Sequence, residues 1–154
     1  MISIQEQDFS LGEEYAALRT RAGDTGAIVT FTGLVREIYG DESTPDAVQS
    51  LTLEHYPGMT EKCLEDITSK AEKRWPLLAT RIIHRIGELR SHDQIVLVAT
   101  ASAHRHAAFE SAQFIMDYLK SEAPFWKKQK SGDESSWVES RETDKTALER
   151  WQKP

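Results

Sequence analysis

The chain has 154 residues, a formal net charge of −6, and 29% charged against 39% hydrophobic residues. That length and balance suit a single globular domain with a buried core, and no apolar run approaches the ~20 residues that cross a bilayer. The acidic excess opposes general nucleic-acid binding, which selects for basic surfaces.

The N-terminus, Met1 to Asp8, lacks the basic region and apolar stretch of a signal peptide. A short strand is expected near Ile2–Ile4, then a helix over Leu11–Thr20 with Ser10 as its cap and Glu13 completing a capping box. Ala27 to Thr32 is β-branched and aromatic and reads as a strand, with Ala27, Val29 and Phe31 on one face. Residues 37–48 are acidic, hold Gly40 and Pro45, and read as a mobile loop. Leu51 to Tyr56 alternates as a second strand that Pro57-Gly58 breaks.

A helix then runs to about Trp75, with Cys63, Ile67, Ala71 and Trp75 on one stripe and Pro76 as its stop. Cys63, the one cysteine, excludes an internal disulfide and a Cys-cluster zinc site, and reads as a structural thiol. Thr80–Ile86 is a strand of mixed faces. Gln94–Ala101 is almost continuously apolar, as a central strand buried on both sides would be. Arg105–Ser121 is a strong helix, with Ala108, Phe109, Ala112, Ile115, Met116 and Leu119 at helical spacing. Phe125–Lys128 and Trp137–Ser140 form a C-terminal hairpin around Ser131, and residues 142–154 read as a charged tail. Strands and helices mix without a βαβ rhythm. The expected class is α+β, with helices packed on a mainly antiparallel or mixed sheet in one domain over residues 1–154.

Phosphate-loop, dinucleotide-binding, zinc-protease and nucleophile-elbow signatures are absent. His104 and His106 fall at a helix start, where their side chains diverge, so no metal site is expected. Three places can carry chemistry. Ser102 to His106 joins the buried strand to the second strong helix. Free N–H groups and the helix dipole there favour an anion, with His104 and Arg105 as titratable and fixed cations; a helix start with exposed first-turn residues is the plainer alternative. Lys120 ends that helix, where a cation suits the dipole in any case. Lys127 lies beyond Pro124 and could face Lys120 if the chain reverses there; close lysines depress one ammonium pKa, and a neutral amine is a nucleophile or base. Arg36 ends the first long strand beside Glu37, so a local ion pair competes with an anion-binding role. Trp126, Trp137 and Trp151 could stack on a flat ring or pack.

Gly26 to Arg36 resembles the opening strand of the molybdopterin synthase large-subunit (MoaE) family. Leu51 to Met59, Ile83 to Leu89, Ser102 to Arg105, Phe109 to Lys120 and Ala123 to Lys127 extend the likeness in the family's order, from about Phe9 to Trp151. The resemblance implies an α/β-hammerhead fold and a cytoplasmic enzyme. It implies that sulfur passes from the C-terminal Gly-Gly thiocarboxylate of a small ubiquitin-like carrier subunit to cyclic pyranopterin monophosphate (precursor Z), building the dithiolene of molybdopterin. It further implies a homodimer within a heterotetramer, and no resident metal or cofactor. By motif, Lys120 and Lys127 match the catalytic lysines. Leu34, Val35, Arg36, His104, Arg105, Lys128, Gln129 and Arg141 match substrate-binding positions, with Arg36, His104 and Arg105 expected at the phosphate and pterin end. The family often has lysine at position 34, so Leu34 offers backbone contact only. The rival readings are a non-catalytic module holding a ubiquitin-like tail, and an anion- or nucleotide-binding regulator.

Overall fold

The computed structural model describes residues 1–36, 50–131, 134–138 and 142–152, with backbone alone at 128–131, 134–138 and 142–145. The acidic 37–48 segment and Arg141 lie outside the described residues. In chain order the elements are β1 (Ile2–Gln5), α1 (Leu11–Ala22), β2 (Ala27–Leu34), β3 (Ser50–His55), α2 (Met59–Arg74), β4 (Leu77–Arg85), β5 (Gly87–Leu89), β6 (Gln94–Ser102), α3 (Arg105–Glu122), β7 (Phe125–Ser131), β8 (Glu134–Val138) and α4 (Glu142–Gln152). The class is α+β, as the sequence pattern indicates.

The strands form two sheets rather than the single sheet expected. The first is mixed, in the order β1-β4-β6-β2, with β1 parallel to β4 and the other pairs antiparallel. The second is antiparallel, in the order β5-β3-β7-β8. The short strand β5 is hidden at sequence level because it is three residues long, turning through Gly87 at φ 84°.

β6 explains its own composition. Val96 and Val98 face the main core with Leu64, Ile67, Ala112, Ile115 and Leu119 from α2 and α3. On the other face Ala99 and Ala101 pack on Leu18 of α1, and Leu97 packs with Phe9 and Ile83. A strand covered on both faces reads as a nearly continuous apolar run, and its buried Thr100 hydroxyl is satisfied by donating to the Ala108 carbonyl at 2.7 Å. Ser10 caps α1, its Oγ accepting the Glu13 N–H at 3.3 Å. Arg81 of β4, nearly buried, is held by Glu14 at 2.9 Å and by the Ser3 hydroxyl.

Two sequence expectations are corrected here. Phe109 is 62% exposed instead of lying on the core stripe. It shares a helix column with Gln113 and Lys120, both exposed, while the core column runs through Ala108, Ala112, Ile115 and Leu119. The charged tail is the helix α4 through Gln152. Trp151 anchors it: the indole is buried, its Nε1–H donates to Asp117 Oδ2 at 2.6 Å, and its ring meets Trp75 and Phe114 edge-on. Packing, not ring binding, is therefore the role of Trp151. Trp151→Ala removes a buried aromatic and leaves Asp117 without its indole donor; the expected loss is about 3–5 kcal/mol of unfolding free energy, read from urea denaturation.

Candidate active site

The strand registers define two ends of the first sheet. At one end Gly33 of β2, Val96 of β6 and His84 of β4 lie in one row. At the other, Ala27 and Leu77 lie beside Ser102. From Val96 to Ser102 the sheet runs about 20 Å at ~3.3 Å per residue. α3 starts where β6 finishes and returns over the sheet; from Arg105 to Lys120 it covers about 22 Å at 1.5 Å per residue. Two independent rulers thus place His104 and Arg105 far from Lys120 within one chain.

At the Lys120 end the inner face of the second sheet meets the first. His55 on β3 pairs with Phe125 on β7, and Leu53 pairs with Lys127. Paired residues of antiparallel strands share a face, and so do residues two apart. His55, Phe125 and Lys127 therefore lie on the face that also carries the buried Leu53. Trp126 is on the reverse face, 41% exposed, with its ring against Tyr56.

Phe125 stacks on the His84 ring at 3.7 Å between centroids and 14° between planes. His84 is buried, and its Nδ1 lies 2.8 Å from the Arg85 carbonyl oxygen. A carbonyl only accepts, so Nδ1 carries the proton and Nε2 is left as an acceptor. Burial pushes this histidine down from 6.5 to about 4; the bond to Arg85 acts the other way, and the nearby charges of Lys120, Lys127 and His55 lower it further. Both lysines therefore stand within electrostatic reach of one neutral imidazole. The link at Pro124 is tight: the Phe125 N–H donates to the Ala123 carbonyl at 2.9 Å, and the Thr60 hydroxyl donates to the Pro124 carbonyl at 3.0 Å.

His55 is the second histidine of this cluster, with Nε2 3.2 Å from Glu61 Oε1. Backbone N–H groups at the start of α2, Glu61's own and then Gly58's, hold the Glu61 carboxyl below its usual range, and His55 adds to the effect. Sequence reading passed over both histidines. The available signal was a polar ring inside the apolar strand at Ile83-His84, but its partner Phe125 is remote in sequence.

Arg36 is exposed and follows β2 by two residues, at the lysine end of the sheet. Within one chain it lies away from His104 and Arg105, with which it is expected to share the phosphate and pterin end. Leu34 is 51% exposed, whereas the Val35 side chain is buried with Leu51, Leu53 and Leu89. Val35 is held by the Asp93 carbonyl at 2.8 Å and the His92 N–H at 2.6 Å, so it would border a pocket only through its backbone. Lys128 pairs in register with Thr52 and Trp137, and Gln129 with Leu51 and Ser136.

At the far end, His104 occupies the N-cap position of α3 but makes no side-chain cap bond, and the first turn carries no acid. His104, Arg105 and His106 are all exposed. Cations at the positive end of a helix oppose its dipole, and uncapped N–H groups remain to be satisfied. An arriving anion would relieve both. The loop that presents them is fixed by a close approach: a Cβ on Gly26 would stand 2.1 Å from the Ala103 carbonyl oxygen, and the Gly26 N–H donates to the Ser102 carbonyl at 3.1 Å. Among the described residues no three His, Cys, Asp or Glu side chains gather as metal ligands, and no helix is long and apolar enough to cross a membrane.

The sequence model of the family described as MoaE protein matches residues 4–122. The chain is 52% identical over 151 residues to the molybdopterin synthase catalytic subunit of Vibrio cholerae, covering 98% of this chain and 97% of that one. It is 54% identical over 150 residues to the protein of the same name from Escherichia coli, covering 97% of each. Among solved structures, the molybdopterin biosynthesis MoaE protein from Burkholderia ambifaria superposes with a TM-score of 0.84 at 49% identity, over 100% of this chain and 99% of that one. Molybdopterin synthase from Staphylococcus aureus superposes with a TM-score of 0.76 at 31% identity, over 88% and 95%.

The buried His84 sets a pH dependence. The unfolded chain takes up this proton near pH 6.5, but the folded chain only near pH 4. Stability from this residue is full above pH 6.5 and is lost as pH falls toward 4, by about 3 kcal/mol. Urea denaturation at pH 7 and pH 4.5 should show a larger acid loss in the wild type than in His84→Phe, which has no proton to gain.

Proposed function

The chain belongs to the MoaE protein family, and on that premise we propose that it is the catalytic subunit of a molybdopterin synthase, an enzyme of molybdenum cofactor biosynthesis. We further infer that it acts in the cytosol as a sulfurtransferase. In this reading a small ubiquitin-like carrier brings sulfur as a thiocarboxylate on its C-terminal Gly-Gly, and cyclic pyranopterin monophosphate receives it. The thiocarboxylate sulfur bonds to an electrophilic substrate carbon while a C–O bond of that carbon breaks and its oxygen leaves protonated or as phosphate; two such transfers supply the two sulfurs. Water then takes the acyl group, leaving sulfur on the product and a carboxylate on the carrier.

Lys120 and Lys127 suit the centre of this chemistry. Both the donor tail and the phosphate are anionic, and two ammonium groups offset their repulsion and polarise the thiocarboxylate carbonyl. Arg36, at the same end of the sheet, adds a fixed cation with bidentate geometry. Glycines at the carrier's C-terminus would let its backbone approach closely.

The observation that carries the assignment is the distance between the two cationic ends. Lys120 and Arg105 of the same chain are rooted about 22 Å apart along α3, which disfavours contact of both with one small anionic substrate. A second copy can close the gap, with His104 and Arg105 of one copy completing the site built on Lys120, Lys127 and Arg36 of the other. The homodimer is thus part of the proposed machinery: it brings the phosphate-binding helix start to the sulfur-transfer centre.

Lys120→Ala is expected to abolish dithiolene product, detected by mass after mixing with precursor and thiocarboxylated carrier, while carrier binding persists by titration calorimetry. Turnover at the wild-type rate would remove Lys120 from the reaction. Arg105→Ala should also be nearly inactive. Unfolding and refolding the two variants together forms mixed dimers, each with one intact site. Activity should then return to about a quarter of wild type; a site contained in one chain predicts no recovery.

A further inference from the structure

Among the described residues, His84 is a buried titratable ring beside the lysine pair to which the proposed reaction gives no part. It lies on β4, in the first sheet, while Lys127 lies on β7, in the second. The link between them is Phe125, whose ring lies flat on the imidazole at 3.7 Å. Phe125 and Lys127 are on the same face of β7, two residues apart, so a shift of the strand at Phe125 carries the root of Lys127 with it. The imidazole itself cannot turn freely, because Nδ1–H is bound to the Arg85 carbonyl at 2.8 Å. Behind Phe125 the chain is anchored to α2 through Thr60 and Pro124 and continues directly from α3, which carries Lys120.

We propose that His84 is a positioning residue for the lysine pair: its ring, fixed by the Arg85 carbonyl, clamps Phe125 and so sets where Lys127 stands beside Lys120. A flat ring is required by the parallel stack, and a polar edge by the strand-end carbonyl. Histidine supplies both and, being neutral, adds no third charge between two ammonium groups. The inference rests on the proposed sulfur transfer for its kinetic consequence, but not for its geometry.

The test uses the whole protein with its carrier and cyclic pyranopterin monophosphate. His84→Ala should lower kcat about tenfold or more, because an ångström of misplacement suffices for that, with KM for the precursor changed less than about twofold. His84→Phe retains a stacking ring but not the bond to Arg85, and should recover only part of the lost kcat. In a Lys127→Ala background, His84→Ala should add no further loss, since both act through one group. Independently of turnover, the acetylation rate of Lys127 by an N-hydroxysuccinimide ester, read by peptide mass, should shift about threefold or more in His84→Ala, with Lys62 and Lys73 as unchanged references. Should His84→Ala not fold, Phe125→Leu removes the stack while keeping apolar volume, and the same kinetic and labelling shifts are expected.

Wild-type kcat in folded His84→Ala, equal losses in the Ala and Phe variants, multiplying losses in the double variant, or unchanged Lys127 acetylation would each overturn the proposal. Absence of product from the wild type would instead overturn the functional reading, and the acetylation arm would still decide the role of His84.

Discussion

The packing of α3 along β6 is the constraint on which the rest of the molecule depends. β6 is covered by α1 on one face and by α2 and α3 on the other, so its position is fixed from both sides. α3 begins after a two-residue link from β6 and runs back across the sheet. Its first turn and its last turn are therefore held at opposite ends of the domain. The first turn presents His104 and Arg105; the last presents Lys120. The separation of the two cationic groups follows from ordinary helix and strand dimensions.

The second sheet serves the far end of that helix. β7 follows α3 after a two-residue link, and its inner face carries Phe125 against His84, whose ring feels the charges of both Lys120 and Lys127. His55 reaches the same place from β3 and is tied to Glu61 at the start of α2. An acidic protein thereby gathers basic groups in one region without altering its net charge of −6. The global charge resists polyanions at long range, while the local field favours a small anion.

Much of this was legible in the amino-acid order, and the reasons are physical. The α3 helix and the doubly buried β6 declare themselves through local periodicity. Ser10 and Pro76 punctuate their helices through local backbone chemistry. Lys120 and Lys127 are recognisable because a proline between a helix and a strand implies a reversal, and because both sit in strings resembling a known family. What escaped was non-local. The stack of His84 on Phe125 joins residues far apart in sequence across two sheets, and no periodicity encodes it. The division into two sheets and the docking of α4 through Trp151 and Asp117 escaped for the same reason. Charge alone also says nothing about distance: within one chain Arg36 lies at the lysine end of the sheet, away from Arg105.

In the proposed reaction centre, Lys120 and Lys127 come from one copy of the chain and His104 and Arg105 from another. A crystal structure of the protein soaked with cyclic pyranopterin monophosphate measures this directly. Substrate is expected between two copies, its phosphate oxygens within hydrogen-bonding distance of Arg105 from one and the pterin beside Lys120 and Lys127 of the other. Substrate held wholly by one chain, or bound away from either cationic end, would contradict it.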